Sequence, residues 1–438
     1  MRSARHREIA GLLSVLLVII LCVLGPFMTN KPVPFTGDGS PARQLAYVLV
    51  LMVVIYASGP LGSYRKIFAI PFFLAITFLW YWISLFWSIA PDIGARRLSL
   101  TTIVVLVIFS GVRKSNLDEL INWTGAIFLI VLILNFLTVL FLPHIGIHQP
   151  GEEVDTSLVG GWRGIMLQKN FAGAICAFTI MLFLFSCRKW DYRLRALILL
   201  LSLIFIVKTQ SKTSAGLMLI SVTIGATFYL YNPKYRQLVA PLFAILSSAV
   251  VFLISLESAL LDKILYDPEA FTGRTQIWRS LLRYAQDNLM LGSGFGSFWN
   301  IGFGVSPIFK YSRGWVLTYA AQGHNGYLDI LITTGIIGLI LTVISCVIVP
   351  LFKLVSATSI SREYRALLVS FIIFSAGHNM TESSLMDRDT IVQVFLMLAL
   401  AITWKILRKA DTVPHMAMPL RHAPRIDTDI PPDAAAPR

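Results

Sequence analysis

The sequence predicts an all-α fold: a polytopic membrane bundle of about twelve transmembrane helices, with one long extracytoplasmic loop that carries amphipathic helices. The first observation is composition, because 56% of the 438 residues are hydrophobic and only 14% are charged, whereas a soluble globular domain has about 25% charged residues. The second is that apolar runs near the ~20 residues needed to cross a bilayer recur along the chain. The third is that basic residues concentrate in every second short loop.

Apolar runs, separated by polar or Pro/Gly breaks, predict the helices in order. They cover residues 8–28, 44–62, 67–89, 98–112, 119–142, 171–187, 195–209, 214–231, 237–256, 326–352, 364–380 and 389–407. Arg2, Arg5 and Arg7 precede the first run, and no small-residue cleavage site follows it. We therefore interpret this run as an uncleaved transmembrane helix rather than a signal peptide.

Loop charges predict the orientation of the helices. The basic loops all fall on one side when the helix count is even, which places both termini in the cytoplasm. The acidic segment 151–155 and the long loop 257–325 then lie outside. Arg96 and Arg97 also lie outside, against the rule. This exception indicates either an error in the predicted topology or a function, since basic residues on the outer face can serve an anionic ligand.

The domain organisation is simple. Residues 1–407 are expected to form one transmembrane domain that includes the outer loop 257–325, and residues 408–438, rich in Pro, Asp and Arg, a disordered cytoplasmic tail. The four cysteines share no metal-like spacing. Since the short loops account for most of the net charge of +14, nucleic acid is not an expected partner.

The outer loop contains an arginine at the start of a predicted helix. Thr272 is a plausible N-cap, and apolar residues then recur at helical spacing, so 274–288 is predicted to be an amphipathic helix on the membrane face. Arg274 stands in its first turn, one turn before Trp278, and is directed towards the bundle. An arginine beside free backbone N–H groups is a good anion site, although an ordinary solvated arginine fits the same pattern.

A glycine-rich stretch follows that helix. Residues 291–298 read LGSGFGSF, but no strand precedes them and no Gly-Lys-Ser/Thr follows, so a nucleotide-binding loop is not predicted. We expect the glycines to form a tight turn that ends the helix and brings the backbone close to a neighbouring element.

His324 directly precedes a membrane helix. Asn325 is the expected N-cap of that helix, which has Gly335 and Gly338 in its interior. The positive end of a helix disfavours an imidazolium, so His324 is expected to be neutral and able to accept a proton from a sugar hydroxyl. A polar loop histidine with a backbone partner is the alternative.

Further polar groups fall on the same predicted side. Arg163, Lys169 and Asn170 precede or open the sixth helix, Lys212 lies in a polar hinge at 208–213, and the last outer loop, 378–384, contributes Glu382 and a second histidine. Each of these residues, taken alone, is consistent with a side chain that only extends to the membrane–water interface and has no further role. Ionisable groups gathered on one face of a membrane protein are functional candidates.

The order of these motifs resembles that of the O-antigen ligase and Wzy-type polysaccharide polymerase superfamily over about residues 65–400. The resemblance rests on Lys169-Asn170, Ser211-Lys212-Thr213, Gly273-Arg274 with Trp278, the glycines of 292–296, and His324-Asn325 with Gly335 and Gly338. The outer loop and the segment 381–384 are most similar to the exopolysaccharide branch, which polymerises succinoglycan-type repeats.

This resemblance implies a metal-independent, cofactor-free, inverting glycosyltransferase at the periplasmic face of the bacterial inner membrane. The donor would be an undecaprenyl-diphosphate-linked oligosaccharide and the acceptor a growing polysaccharide, with the lipid bilayer and chain-length or export proteins as further partners. An arginine at the position of Arg274 binds the diphosphate, and a histidine at the position of His324 acts near the acceptor. Lys212 occupies a position where relatives often carry arginine, so bidentate phosphate contact is lost there.

Three alternatives remain open from the sequence. The same chemistry with lipid A–core as acceptor would make the protein an O-antigen ligase. Twelve helices are also common in transporters or flippases of lipid-linked sugars, although no internal repeat is visible and the polar residues gather at one face. A non-catalytic assembly protein is the third.

Overall fold

The computed structural model describes residues 2–28, 40–58, 70–151, 158–237, 241 and 274–411. Within these ranges the regular secondary structure is helical, and the only β-type pairing is an isolated bridge between Ile147 and Trp162. The prediction of an all-α protein is therefore confirmed. The segment 152–155, the predicted run 237–256 except for residues 237 and 241, the N-cap Thr272 and the tail from 412 lie outside the described residues.

Thirteen helices are labelled here in chain order. They are α1 (Arg2–Met28), α2 (Pro41–Ser58), α3 (Phe72–Ile83), α4 (Pro91–Lys114), α5 (Leu117–Phe141), α6 (Lys169–Phe185), α7 (Tyr192–Lys208), α8 (Lys212–Leu230), α9 (Arg274–Asp287), α10 (Gly326–Val343), α11 (Val349–Ser356), α12 (Arg362–His378) and α13 (Ile391–Asp411). Every predicted apolar run other than 237–256 coincides with a helix, and the predicted helix at 274–288 is α9.

Six of the described helical segments are long and apolar enough to cross a membrane. They are Arg5–Leu24, Pro91–Lys114, Leu117–Phe141, Lys212–Leu230, Gly326–Ser356 and Ile391–Arg408. Many large apolar side chains on these helices are exposed, among them Leu13, Ile130 and Leu219. Exposed apolar surface of this extent is suited to lipid, so the chain is a multi-pass membrane protein.

The ends of several helices follow from local hydrogen bonding. The side chain of Asn325 accepts from the backbone N–H groups of Tyr327 and Leu328, which confirms it as the N-cap of α10. Ser211 caps α8 by accepting from the N–H of Ser214. These caps satisfy donors that the first helical turn leaves unpaired.

The helix α10 is broken in its middle, whereas the apolar run predicted a continuous helix. Gly335 has φ 70°, a conformation that side chains other than glycine rarely adopt. At the break, Ile336 N–H donates to Leu289 O at 2.8 Å, and Ser293 N–H donates to Ile332 O at 2.9 Å. Irregular backbone at membrane depth requires such internal partners.

The glycine-rich turn fills this break. A Cβ on Gly292 would lie 2.7 Å from Ile332 O, so only glycine permits the observed approach. Gly294 and Gly296 also have positive φ angles. The prediction of a tight turn packed closely on a neighbouring element is confirmed.

Arg97, on α4, holds the next part of the outer loop. Its guanidinium donates to Gly296 O at 2.5 Å, Trp299 O at 2.8 Å and Asn300 O at 3.1 Å. The expectation that this arginine serves an anionic ligand is therefore wrong, since its donors bind loop carbonyl groups. Arg97 also shows that the first turns of α4 lie at the same end of the bundle as the outer loop.

Candidate active site

Three separate parts of the chain meet at the carboxylate of Glu382, in the loop after α12. Asn170 Nδ2 donates to Oε1 at 2.6 Å, and Arg274 Nη2 donates to the same oxygen at 2.8 Å. His324 Nδ1 lies 3.3 Å from Oε2. The side chain of Glu382 is 7% exposed, against 18% for Arg274 and 27% for His324. The carboxylate is therefore more deeply buried than the cation and the imidazole that contact it.

Arg274 is the first residue of α9, as predicted, and its side chain points into the bundle. Besides the ion pair with Glu382, its Nη1 donates to Thr381 O. Trp278, one turn further along α9, donates from Nε1 to Gly323 O at 3.0 Å. One amphipathic helix thus holds the arginine on Glu382 and also restrains the backbone next to His324.

His324 lies in a strained part of the chain. Its φ is 47°, an uncommon value for a residue with a side chain, and such residues cluster at functional sites. Because an ionised carboxylate accepts hydrogen bonds only, the contact with Glu382 favours the tautomer with the proton on Nδ1 and the lone pair on Nε2. The sequence reasoning considered the helix terminus alone and missed this carboxylate partner; a neutral ring stays a prediction.

Glu382 is ionised in this arrangement. Burial raises the pKa of its carboxyl group, but the hydrogen bond with His324 and the charge of Arg274 outweigh burial and lower the pKa to about 2. A negative charge under the two side chains orients both of them and can stabilise an imidazolium that forms on His324.

Backbone and side-chain bonds tie the Glu382 loop to the start of α10. Gly326 N–H donates to Glu382 O at 3.0 Å. Asn325 N–H donates to Ser383 Oγ at 3.2 Å, and Asn325 Nδ2 donates to Met380 O at 3.1 Å. The predicted site residue Asn325 therefore acts on the position of the loop as well as on its own helix.

The hinge before α8 completes one side of the site. Ser211 Oγ donates to Asn170 Oδ1 at 2.9 Å, and Thr381 Oγ1 donates to Thr213 Oγ1 at 3.4 Å. Lys212 lies between these two contacts and is exposed. The side chain of Lys212 is thus exposed between two residues that contact Asn170 and the Glu382 loop.

Arg163 and Lys169 occupy the segment that leads into α6. Arg163 Nε donates to Ile145 O at 2.7 Å, so this side chain is held by the short segment after α5. Lys169 is 8% exposed, and its backbone N–H donates to His148 Nε2 at 3.2 Å. The direct contacts join Asn170, not Arg163, to Glu382.

One half-buried carboxylate was missed by the sequence reasoning. Asp329 Oδ1 accepts from Trp299 Nε1 at 2.8 Å, while Oδ2 accepts from Gly323 N–H at 3.3 Å and from Ser383 Oγ. Asp329 therefore joins the outer loop, the His324 segment and the Glu382 loop. An ionisable residue within an apolar run was the available signal.

One family model matches part of the chain. Residues 196–343 match the family model Wzy_C, described as O-antigen ligase. The matched range includes Lys212, Arg274, Trp278, His324 and Asn325 and ends before Glu382. No curated protein sequence matched the chain.

The match confirms the resemblance to the O-antigen ligase and Wzy superfamily. Its members are membrane enzymes that transfer glycosyl groups and act on lipid-linked glycans. The succinoglycan-type branch stays a prediction.

Proposed function

We propose that the protein is a glycosyltransferase of the bacterial inner membrane that polymerises undecaprenyl-diphosphate-linked oligosaccharide repeats into exopolysaccharide at the periplasmic face. The observation that carries the proposal is the joint contact of Arg274 and His324 with one buried carboxylate, Glu382. A cation suited to phosphate and a potential proton acceptor are thus held side by side, and both lie within the range that matches the O-antigen ligase model.

Arg274 is suited to the diphosphate of the donor. A guanidinium has five N–H donors, and Glu382 and Thr381 engage two of them. The remaining donors can contact phosphate oxygens, and a positive charge stabilises the negative charge that builds up as the diphosphate leaves. Exposed Lys212 would add a second, non-directional charge at the edge of the site. Lys169 and Arg163 are further candidates along the same side, and the proposed chemistry requires no metal ion.

His324 is suited to activate the acceptor. Its Nε2 takes the proton of the attacking hydroxyl while the new glycosidic C–O bond forms. The bond between the anomeric carbon and the phosphate oxygen breaks, and the diphosphate departs with that electron pair. Glu382 stabilises the imidazolium produced. A single displacement of this kind inverts the anomeric centre, and much of the rate gain comes from positioning the two substrates.

The test is reconstitution of the purified full chain with lipid-linked repeats in the presence of EDTA, followed by sizing of the products. We expect polymer from the wild type, and normal membrane insertion without polymer from Arg274→Ala and from His324→Ala. Polymer of normal length from either variant would remove that residue from the proposed site. Loss of lipid-linked sugar translocation, with polymerisation retained, would instead support a transporter.

An O-antigen ligase is the second candidate, because the matched family model carries that description. The two activities differ in what accumulates when the protein is deleted. A missing polymerase leaves single lipid-linked repeats, whereas a missing ligase leaves long lipid-linked chains.

A further inference from the structure

Arg113, in the last turn of α4, is a half-buried cation. Its Nη2 is shielded from solvent and makes no hydrogen bond, and no carboxylate in the described part of the chain pairs with its guanidinium. The charge that acts on it most directly is that of Arg408, which repels it. A charged side chain that is partly buried without a compensating partner is unfavourable, and native proteins rarely leave one in this state.

Packing between α4 and α13 brings the two arginines together. Phe109 on α4 packs against Trp404 on α13, with ring centroids 6.0 Å apart. Arg113 and Arg408 each follow one of these rings by four residues, so both guanidinium groups lie one helical turn beyond the aromatic contact. The guanidinium carbon of Arg408 lies 4.8 Å from the centroid of the Trp404 ring. This cation–π contact holds an exposed cation beside the half-buried one.

The nearby backbone acceptors at the end of α4 are engaged by other donors. Lys405, one turn before Arg408 on α13, donates from Nζ to Val112 O at 2.9 Å and to Ser115 O. Ser115 N–H donates to Gly111 O at 2.9 Å. The lysine therefore caps the C-terminal end of α4, as a cation at that end of a helix is expected to do. The two arginines are left facing each other without a hydrogen-bond acceptor among the described residues.

The arginine pair lies at the level of lipid headgroups, on the side of the membrane opposite the candidate active site. The segments Pro91–Lys114 and Ile391–Arg408 are both long and apolar enough to cross a bilayer, and the arginines lie at their C-terminal ends. At the other end of α4, Arg97 holds the outer loop, and α13 begins just after the loop that contains Glu382. A helix of 24 residues such as α4 is about 36 Å long, so the pair is remote from the proposed sugar transfer.

We propose that Arg113 and Arg408 form a binding site for the phosphate of an anionic phospholipid. The phosphate would lie at the accessible edge of the Arg113 guanidinium, accept hydrogen bonds from it and from Arg408, and compensate both charges. A headgroup with a net negative charge fits better than a zwitterionic one, because two cations would repel a headgroup ammonium. Free phosphate offers the same oxygens, but only a lipid is held at this depth by its acyl chains.

The test follows the melting temperature of the purified full chain in an uncharged detergent as lipid is added. Dioleoyl phosphatidylglycerol is the anionic probe, dioleoyl phosphatidylcholine supplies a phosphate with a compensating positive charge, and sodium phosphate supplies phosphate without a lipid. Arg113→Gln and Arg408→Gln each remove one charge from the site. Arg193→Gln is the matched control, because Arg193 is an exposed arginine at the same end of the bundle, in the first turn of α7, with its guanidinium 5.6 Å from the ring of Tyr192.

We expect phosphatidylglycerol to raise the melting temperature of the wild type more than phosphatidylcholine does, and sodium phosphate to leave it unchanged. Arg113→Gln and Arg408→Gln should each move the midpoint of the phosphatidylglycerol titration to about tenfold higher concentration, as the loss of one charge-assisted hydrogen bond would. Arg193→Gln should match the wild type.

Four results would overturn the site: equal stabilisation by the two lipids, full stabilisation by sodium phosphate alone, a wild-type midpoint in both arginine variants, or an equal change of midpoint in Arg193→Gln. The last result would show an effect of net charge rather than of position. If Arg113→Gln yields no folded protein, the exposed position of Arg408 allows Arg408→Gln to decide the same question.

Discussion

Replacement of Glu382 by glutamine is the sharpest perturbation that the structure offers. The substitution keeps the shape of the side chain and removes its charge. Arg274 and His324 would then face a neutral amide in a buried position. If the amide oxygen still accepts from Arg274, the amide NH2 faces His324 and cannot accept a hydrogen bond from its Nδ1–H. We expect the protein to insert and fold, to be less stable, and to lose most of its activity.

The magnitude follows from two features of the site. The pKa of Glu382 is lowered from 4.5 to about 2, which corresponds to about 3 kcal/mol in favour of the ionised form. Because the pKa is depressed in the folded state, this stabilisation is present above about pH 4.5 and is lost as the pH falls towards 2. The loss of the carboxylate that orients a catalytic histidine lowers kcat by about 10⁴-fold in a comparable triad.

The assay is the initial rate of polymer formation from lipid-linked repeats, together with thermal unfolding in detergent at pH 7 and at low pH. Glu119→Gln is the matched control, since Glu119 is an exposed carboxylate at the start of α5. We expect the control to resemble the wild type in rate and in melting temperature. A wild-type rate from Glu382→Gln would refute the role of Glu382 in orienting His324. If the difference in melting temperature between the wild type and Glu382→Gln were the same at pH 7 and at pH 3, that result would refute the ionisation of Glu382.

Other substitutions test the scaffold around the site. Gly335→Ala should abolish folded protein in the membrane, because the added Cβ would overlap Met290 O. Gly304→Ala should be tolerated, because Gly304 has a similar φ and open space around it. Size-exclusion chromatography in detergent measures the folded fraction of both variants. Asp329→Asn should lower kcat at least tenfold, because it weakens the hydrogen bond that holds Gly323, the residue before His324. A kcat equal to that of the wild type would contradict this role of Asp329. Lys212→Ala should raise the donor KM several-fold without changing the melting temperature, and Lys212→Arg should restore it; no change in KM would remove this lysine from the donor site.

The helices were predictable because their causes are local. Runs of apolar residues near membrane length identified the spans, and Asn325 was recognised as a cap because an asparagine directly precedes an apolar run. Arg274 was placed in the first turn of α9 by the spacing of the apolar residues that follow it. The family match within 196–343 agrees with the order of motifs in this part of the chain.

The roles of Arg97 and Gly335 were not predictable in the same way. The charge of Arg97 indicated an anionic ligand, but its partners are carbonyl groups some two hundred residues away. Gly335 was expected to lie within a continuous helix. Its neighbours in the sequence do not reveal that the segment 288–293 forms hydrogen bonds with the backbone where the helix breaks. Both errors arise from long-range backbone contacts, which leave no periodic pattern in the sequence.

What the sequence by itself determined is which segments are helical, which of them suit a bilayer, and which cations and histidines lie near their ends. These properties depend on side-chain transfer to lipid and on hydrogen bonds within a few residues. Only the tertiary structure decided that Arg274, His324 and Asn170 share Glu382. Pairing over such distances is selected by the packing of α6, α9, α10 and α12, which brings together charges that burial would otherwise make unfavourable.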